Sequence, residues 1–81
     1  METRVAVISI IVEELESVGG VNELLHNYNQ YIIGRMGIPY KQKGINIISV
    51  AIDAPQDAIN SLAGSLGKLE GITAKATYSK I

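Results

Sequence analysis

The sequence contains no cysteine, no tryptophan and no phenylalanine. Without cysteine the chain can form no disulfide, has no thiolate ligand for a metal and has no cysteine nucleophile. Its single histidine, His26, would need further ligands before it could hold a metal ion. We therefore expect no metal site and no cofactor.

The charge balance also argues against two kinds of partner. Seven Lys or Arg residues against eight Asp or Glu residues give a net charge of −1, so nothing draws the chain to nucleic acid or to an anionic membrane. No run approaches the roughly 20 apolar residues of a membrane helix. The apolar residues 5–12 are followed by Glu13 and Glu14, where a signal peptide would carry small neutral residues. We expect a cytoplasmic protein with no direct nucleic-acid or membrane partner.

Aliphatic residues are abundant. Apolar residues make up 47% of the 81 positions, and most of them are Ile, Val, Leu and Ala. A chain of this length forms one domain, predicted over residues 1–81, and its own core is modest. The surplus of aliphatic residues suggests that part of the surface is buried against a partner.

Four segments have the composition of strands and two have that of helices. The strands are predicted at residues 4–12, 30–36, 45–52 and 72–78. The apolar stripe of the first helix consists of Val21, Leu24, Leu25 and Tyr28. The stripe of the second consists of Ile59, Leu62, Ala63 and Leu66.

Turn and cap residues set the expected boundaries of these elements. Ser17 or Gly20 is expected to cap the first helix, and Gly67 to follow the second. Residues 37–44 contain two glycines and a proline, so they are predicted to be a connection. Gly64 inside the second helix is expected to permit close packing.

This order of elements predicts an α+β fold of the ferredoxin-like βαββαβ type, a four-stranded antiparallel sheet with both helices on one face. Strands one and three carry apolar residues on both of their faces, whereas a sheet with one solvated face should alternate between apolar and polar residues. We infer that the face away from the helices is covered by another subunit.

Two glycines before the first helical stripe form one candidate ligand site. Gly19 and Gly20 would let a ligand approach the unpaired N–H groups at a positive helix end. Alternatively, the glycines only permit a tight turn and a cap.

A second candidate site gathers cations around the predicted connection. Arg35, Lys41 and Lys43 lie near Tyr40 in the sequence and could bind an anionic ligand or the carboxylates of a partner. For Lys41 and Lys43 a solvated hairpin tip is the simpler explanation. Arg35 stands among apolar residues and is expected to have a defined partner.

Other functions of this fold lack their residues here. RNA-binding versions need aromatic residues on the central strands, and copper chaperones need a Cys-x-x-Cys motif. Acylphosphatase-like catalysis would need an arginine after strand one, where this chain has glutamates. The crowded Glu13, Glu14 and Glu16 match no metal-binding loop. No nucleophile–base pair is visible, so we predict that the protein is not an enzyme.

Four segments, residues 2–12, 22–26, 31–40 and 44–50, resemble the regulators of the iron-only hydrogenase system, a family of small proteins from anaerobic bacteria. The most specific piece is the run Gly-Arg-Met-Gly-Ile-Pro-Tyr at residues 34–40. The resemblance implies a ferredoxin-like fold of the ACT type, related to the C-terminal domain of nickel-responsive repressors. It also implies dimers or tetramers that bind small effectors near subunit interfaces.

In ACT domains the ligand commonly meets the glycine-containing turn after strand one, which the resemblance places at Gly19, Gly20, Val21 and Asn22. The repressor's nickel site does not carry over, since His26 is the only histidine, and we expect no counterpart of its DNA-binding arm. Two functions stay open. One is a homo-oligomeric regulatory module that binds a small effector. The other is an adaptor that binds a regulatory or hydrogenase-maturation protein without any ligand.

Overall fold

Segments rich in β-branched residues form a sheet that is covered on one side by two amphipathic helices. The computed structural model describes residues 2–81. Its elements are β1 (Arg4–Val12), α1 (Val18–Asn27), β2 (Ile32–Tyr40), β3 (Ile45–Ala54), α2 (Gln56–Gly67) and β4 (Ile72–Tyr78). Single 3₁₀ turns at Leu15–Ser17 and Asn29–Tyr31 flank α1. The predicted βαββαβ order is confirmed.

The strand order across the sheet is β2-β3-β1-β4, and every neighbouring pair is antiparallel. Ile8 at the middle of β1 lies opposite Val50 of β3 and Ala76 of β4. This register places alternate residues of all four strands on the helix side, as the ferredoxin-like fold requires.

The core lies between this side of the sheet and the helices. The strands contribute Ala6, Ile8, Ile10, Val12, Ile48, Val50, Ile52, Ala54 and Ile72, all buried. The helices contribute Val21, Leu25, Ile59, Leu62 and Leu66. Each helix therefore turns its predicted apolar stripe toward the core, and Leu24, Tyr28 and Ala63 of these stripes are half-buried.

The opposite side of the sheet, which we call the open face, is also apolar. Val5, Val7, Met36, Ile38 and Tyr40 lie there with exposed fractions of 39–53%. Half-buried residues lie between them, namely Ile11, Ile45, Ile47 and Ala51. The prediction that the central strands are apolar on both faces is confirmed.

The prediction for the second strand is wrong at both ends. β2 begins at Ile32 rather than at residue 30 and continues to Tyr40, so only residues 41–44 form the turn. Pro39 is paired with Asn46 inside the ladder. An edge strand tolerates proline because it has a neighbour on one side only. A bulge at Ile32/Gly34 shifts the register at the start of β2.

The prediction of a glycine-containing turn before the first helix is also wrong. α1 begins at Val18, so Gly19 and Gly20 lie in its first turn. Ser17 occupies the cap position, but its hydroxyl does not cap the helix. It donates instead to the carbonyl oxygen of Glu70, 2.7 Å away.

The expected roles of two glycines in the second helix are not found. Gly67 is the last helical residue and has no left-handed conformation, which falls instead on Gly71, at φ 70°. Gly64 is exposed, and a Cβ added there would meet no atom within 4 Å. Close packing within the subunit therefore does not explain Gly64.

Between residues 2 and 81, no helix is both long and apolar enough to cross a membrane.

Candidate functional site

Two adjoining hollows lie between the start of α1 and the edge strand β2. The first has a volume of about 230 Å³ and is lined by Val18, Asn22, Arg35, Gly37, Ile38, Pro39, Asn46 and Ile48. The second has a volume of about 300 Å³ and is lined by Leu15, Val18, Pro39, Tyr40, Lys41, Gly44, Ile45 and Asn46. Three residues line both hollows, so we treat them as one site, the α1–β2 trough.

The trough exists because α1 is shorter than the strands beneath it. Ten helical residues extend about 15 Å, whereas nine strand residues extend about 30 Å. On the helix side β2 presents Arg35, Gly37 and Pro39, which lie opposite Val50, Ile48 and Asn46. None of these three β2 residues has a large aliphatic side chain that could fill the space.

One hydrogen bond joins the two walls of the trough. The Arg35 guanidinium of β2 donates from Nη2 to Oδ1 of Asn22 on α1, 3.0 Å away. The expectation of a defined partner for Arg35 is therefore met. A guanidinium has five N–H donors in a planar fork, and this bond uses one of them. An anion in the trough could accept from others.

The trough favours negative charge. Among the described residues that line it, Arg35 and Lys41 are cationic and none carries a carboxylate. Asn22 and Asn46 add amide donors and acceptors, and the other lining residues are mostly apolar. This mixture suits a small ligand with an anionic group and an apolar body.

Only some of the predicted site residues line this trough. Asn22 and Arg35 line the first hollow and Tyr40 lines the second. The Tyr40 hydroxyl donates to Oε1 of Gln42, 2.8 Å away.

The other three predicted residues lie in the first helical turns. Gly19 is exposed, and Gly20 lies against Leu69, whose side chain would be 3.3 Å from an added Cβ. Val21 is fully buried in the core. These three residues carry and orient Asn22 without lining the trough.

Sequence reasoning missed Val18 and Asn46, which line both hollows. Asn46 had a signal, because it is a lone amide in the otherwise aliphatic start of β3. Val18 had none, because it lines the trough only once α1 has been placed over β2.

Backbone and hydroxyl contacts hold the start of α1 in place. The Glu13 N–H donates to the Gly71 carbonyl over 2.8 Å, and Ser17 donates to Glu70 as described above. The β1–α1 connection is thus tied to the α2–β4 connection. This tie fixes the helix end that forms one wall of the trough.

Acidic and histidine side chains do not gather into a metal site. Within residues 2–81, no three His, Asp or Glu residues are grouped so that they could hold an ion. His26 is exposed on α1.

The fold of the chain is similar to that of ACT domains. The ACT domain of the GTP pyrophosphokinase of Chlorobium tepidum superposes with a TM-score of 0.78 at 18% identity, covering 93% of this chain and 99% of that one. A formyltetrahydrofolate deformylase of Pseudomonas putida matches with a TM-score of 0.65 at 15% identity, over 90% of this chain and 28% of that chain. At such identities these likenesses establish the fold alone.

The chain belongs to the family described as "TM1266-like: Iron-only hydrogenase system regulator, putative", whose model matches residues 4–76. The structure of the uncharacterized protein TM1266 of Thermotoga maritima is similar, with a TM-score of 0.93 and 32% identity over 98% of this chain and 100% of that one. The resemblance noted in the sequence is confirmed. A search of curated proteins gave no significant match.

Proposed function

We propose that this protein is a regulatory module that self-associates and binds a small anionic effector in the α1–β2 trough. In this proposal the protein regulates the iron-only hydrogenase system, which is the role that the family description gives. In this proposal Asn22, Arg35 and Tyr40 contact the effector. Gly19, Gly20 and Val21 form the helical turns that position Asn22.

The observation that carries the proposal is the Arg35–Asn22 hydrogen bond of 3.0 Å at the wall of the trough. A guanidinium already oriented by an amide loses less side-chain entropy when it binds an anion. The lining residues supply cations and amides without carboxylates. The same trough would repel a cationic ligand.

Binding at this place could change the state of the protein because the trough joins different elements. Asn22 belongs to α1, Arg35 and Tyr40 to β2, and Asn46 to β3. A ligand that prefers one arrangement of α1 over β2 stabilises that arrangement in proportion to its differential affinity. The adjoining open face, which includes Tyr40, would then pass the change to a second subunit.

The test is a thermal-shift screen of the assembled protein against amino acids, nucleotides, small carboxylates and divalent metals. At a concentration one hundred times its Kd, a ligand stabilises the folded state by about 2.7 kcal/mol, which is an easily measured shift. We expect at least one anion to raise the melting temperature of the wild-type chain.

A matched pair of substitutions locates the site. Arg35→Ala should abolish the shift, and Lys43→Ala should retain it, because Lys43 carries the same charge in the turn but does not line the trough. A wholly negative screen would count against the effector, and an equal response of both variants would count against this site.

The apolar open face favours a second candidate function, an adaptor that binds a partner protein without a ligand. An adaptor would give no shift with any small molecule. Gly20→Ala would then change stability only, through the contact of the new methyl group with Leu69.

A further inference from the structure

We infer that the open face is the interface between two copies of this chain, with Ser49 at its twofold axis. The inference deepens the proposed function, on whose claim of self-association it rests. It names the surface that associates, the occupant of that surface and the symmetry that relates the two copies.

The chain exposes more surface than a typical folded monomer of its mass, and much of its exposed apolar surface lies on one side. The accessible surface is 5285 Å² for a chain of 8.7 kDa, whereas a folded monomer of that mass exposes about 4,700 Å². Most of the exposed large apolar side chains lie on the open face, namely Val5, Val7, Met36, Ile38 and Tyr40.

The size of the face suits a modest but specific dimer. Four strands spaced by about 4.8 Å, each contributing a segment of about 25 Å, give roughly 500 Å² per copy. Two copies would bury about 1,000 Å² in total, which is the lower bound for a specific interface. We therefore expect an affinity in the micromolar range, not an obligate dimer.

The charges on the face are compatible with a second copy as the occupant. Among the described strand residues of this face, Lys75 and Asp53 are the only charged ones. Lys75 lies on the edge strand β4 and Asp53 near the end of β3, so both are at the margin. Two identical faces can thus meet without like charges opposed at the centre.

Small side chains at the centre allow two sheets to approach. Ser49 pairs with Ser9 on one side and with Met36 on the other. The Ser9 hydroxyl donates to the Lys75 carbonyl oxygen, 3.3 Å away, so its donor has a partner when the face is covered. Along the strands, apolar residues lie before and after the row formed by Ser9, Ser49 and Met36. The face can therefore pack against an identical face.

The position of the axis follows from the apolar part of the face. β4 presents Thr73, Lys75 and Thr77 there, so the apolar area spans β2, β3 and β1 and is centred on β3. A twofold axis between two facing sheets lies parallel to them. The axis can run along β3, or across the strands through the row of paired residues Ser9, Ser49 and Met36. In both orientations the axis passes over Ser49.

Single charge substitutions test the face. Val7→Glu puts a carboxylate into the apolar area, and because Val7 is 44% exposed in the single chain, folding should persist. We expect the dimer dissociation constant from sedimentation equilibrium to rise about tenfold or more. Ser61→Glu adds the same charge on the exposed side of α2 and should leave the constant nearly unchanged.

The outcomes separate this inference from the proposed self-association. If the wild-type chain dimerises and Val7→Glu, folded by circular dichroism, dimerises equally well, the open face is not the interface although self-association stands. Dissociation by Ser61→Glu alone would place the interface on the helices and overturn the inference. A monomeric wild-type chain would overturn both.

Cross-linking provides a measurement that does not depend on the folding of Val7→Glu. The natural chain has no cysteine, so a substituted cysteine is the only thiol. Facing sheets lie about 10 Å apart, beyond the reach of a disulfide but within that of a short bismaleimide. Ser49→Cys should cross-link to dimers much faster than Ser61→Cys. Equal rates would contradict the inference.

Discussion

At the scale of single residues, two glycines have nearly the same backbone and different surroundings. Gly44 and Gly71 have φ angles of 67° and 70°, in the left-handed region that favours glycine. An added Cβ at Gly44 would meet nothing within 4 Å. At Gly71 it would lie 2.5 Å from Cβ and 2.8 Å from N of Glu14. Gly71 is therefore required both by its conformation and by the close approach of the β1–α1 connection.

This contrast predicts different costs for the same substitution. Gly44→Ala should lower the free energy of unfolding by about 1 kcal/mol, the cost of the left-handed conformation. Gly71→Ala should cost about 3 kcal/mol or more, because the contact with Glu14 adds overpacking. Urea denaturation at one protein concentration measures both values. Equal losses would show that the Glu14 contact carries no cost.

At the scale of secondary-structure elements, the helices pack their apolar stripes against the sheet but do not cover the end of β2. α2 buries Ile59, Leu62 and Leu66, and α1 buries Val21 and Leu25. Because α1 is short, the end of β2 has no helix above it, and this uncovered stretch forms one wall of the trough. The proposed effector site thus follows from a mismatch in length between two elements.

Gly64 gives a prediction at this scale. It lies in the interior of α2, is exposed and has no atom near a potential Cβ. Gly64→Ala should therefore raise the free energy of unfolding by about 1 kcal/mol through helix propensity, again measured by urea denaturation. If the variant instead lost both stability and association, α2 would be packed closely against another subunit, and the assignment of the interface to the open face would be wrong.

The sequence allowed the central strands and the edge strand β4 to be predicted, but not the bounds of the edge strand β2. β1 and β3 are long aliphatic runs. Their two apolar faces could be predicted from the sequence alone, because successive residues of a strand lie on opposite faces of the sheet. The end of β2 was missed because Gly37 and Pro39 are typical of turns, and only pairing with β3 keeps them in the sheet. The trough brings Asn22 and Arg35 together across 13 positions. Its lining depends on the placement of α1, which no local pattern reveals.

At the scale of the whole molecule, the open face and the α1–β2 trough lie next to each other. The open face is an apolar surface suited to a second copy, and the α1–β2 trough is a polar hollow beside it. Ile38 and Tyr40 belong to both. Occupancy of the trough and association of the face should therefore influence each other, and by linkage the influence is reciprocal.

The measurement that tests self-association most directly is the mass of the chain by static light scattering over a range of concentrations. We expect a mass of 8.7 kDa at high dilution and a rise to at least twice that mass over a micromolar concentration range. The melting temperature should rise with protein concentration over the same range. A mass of 8.7 kDa that persists at every concentration would show that the chain does not self-associate.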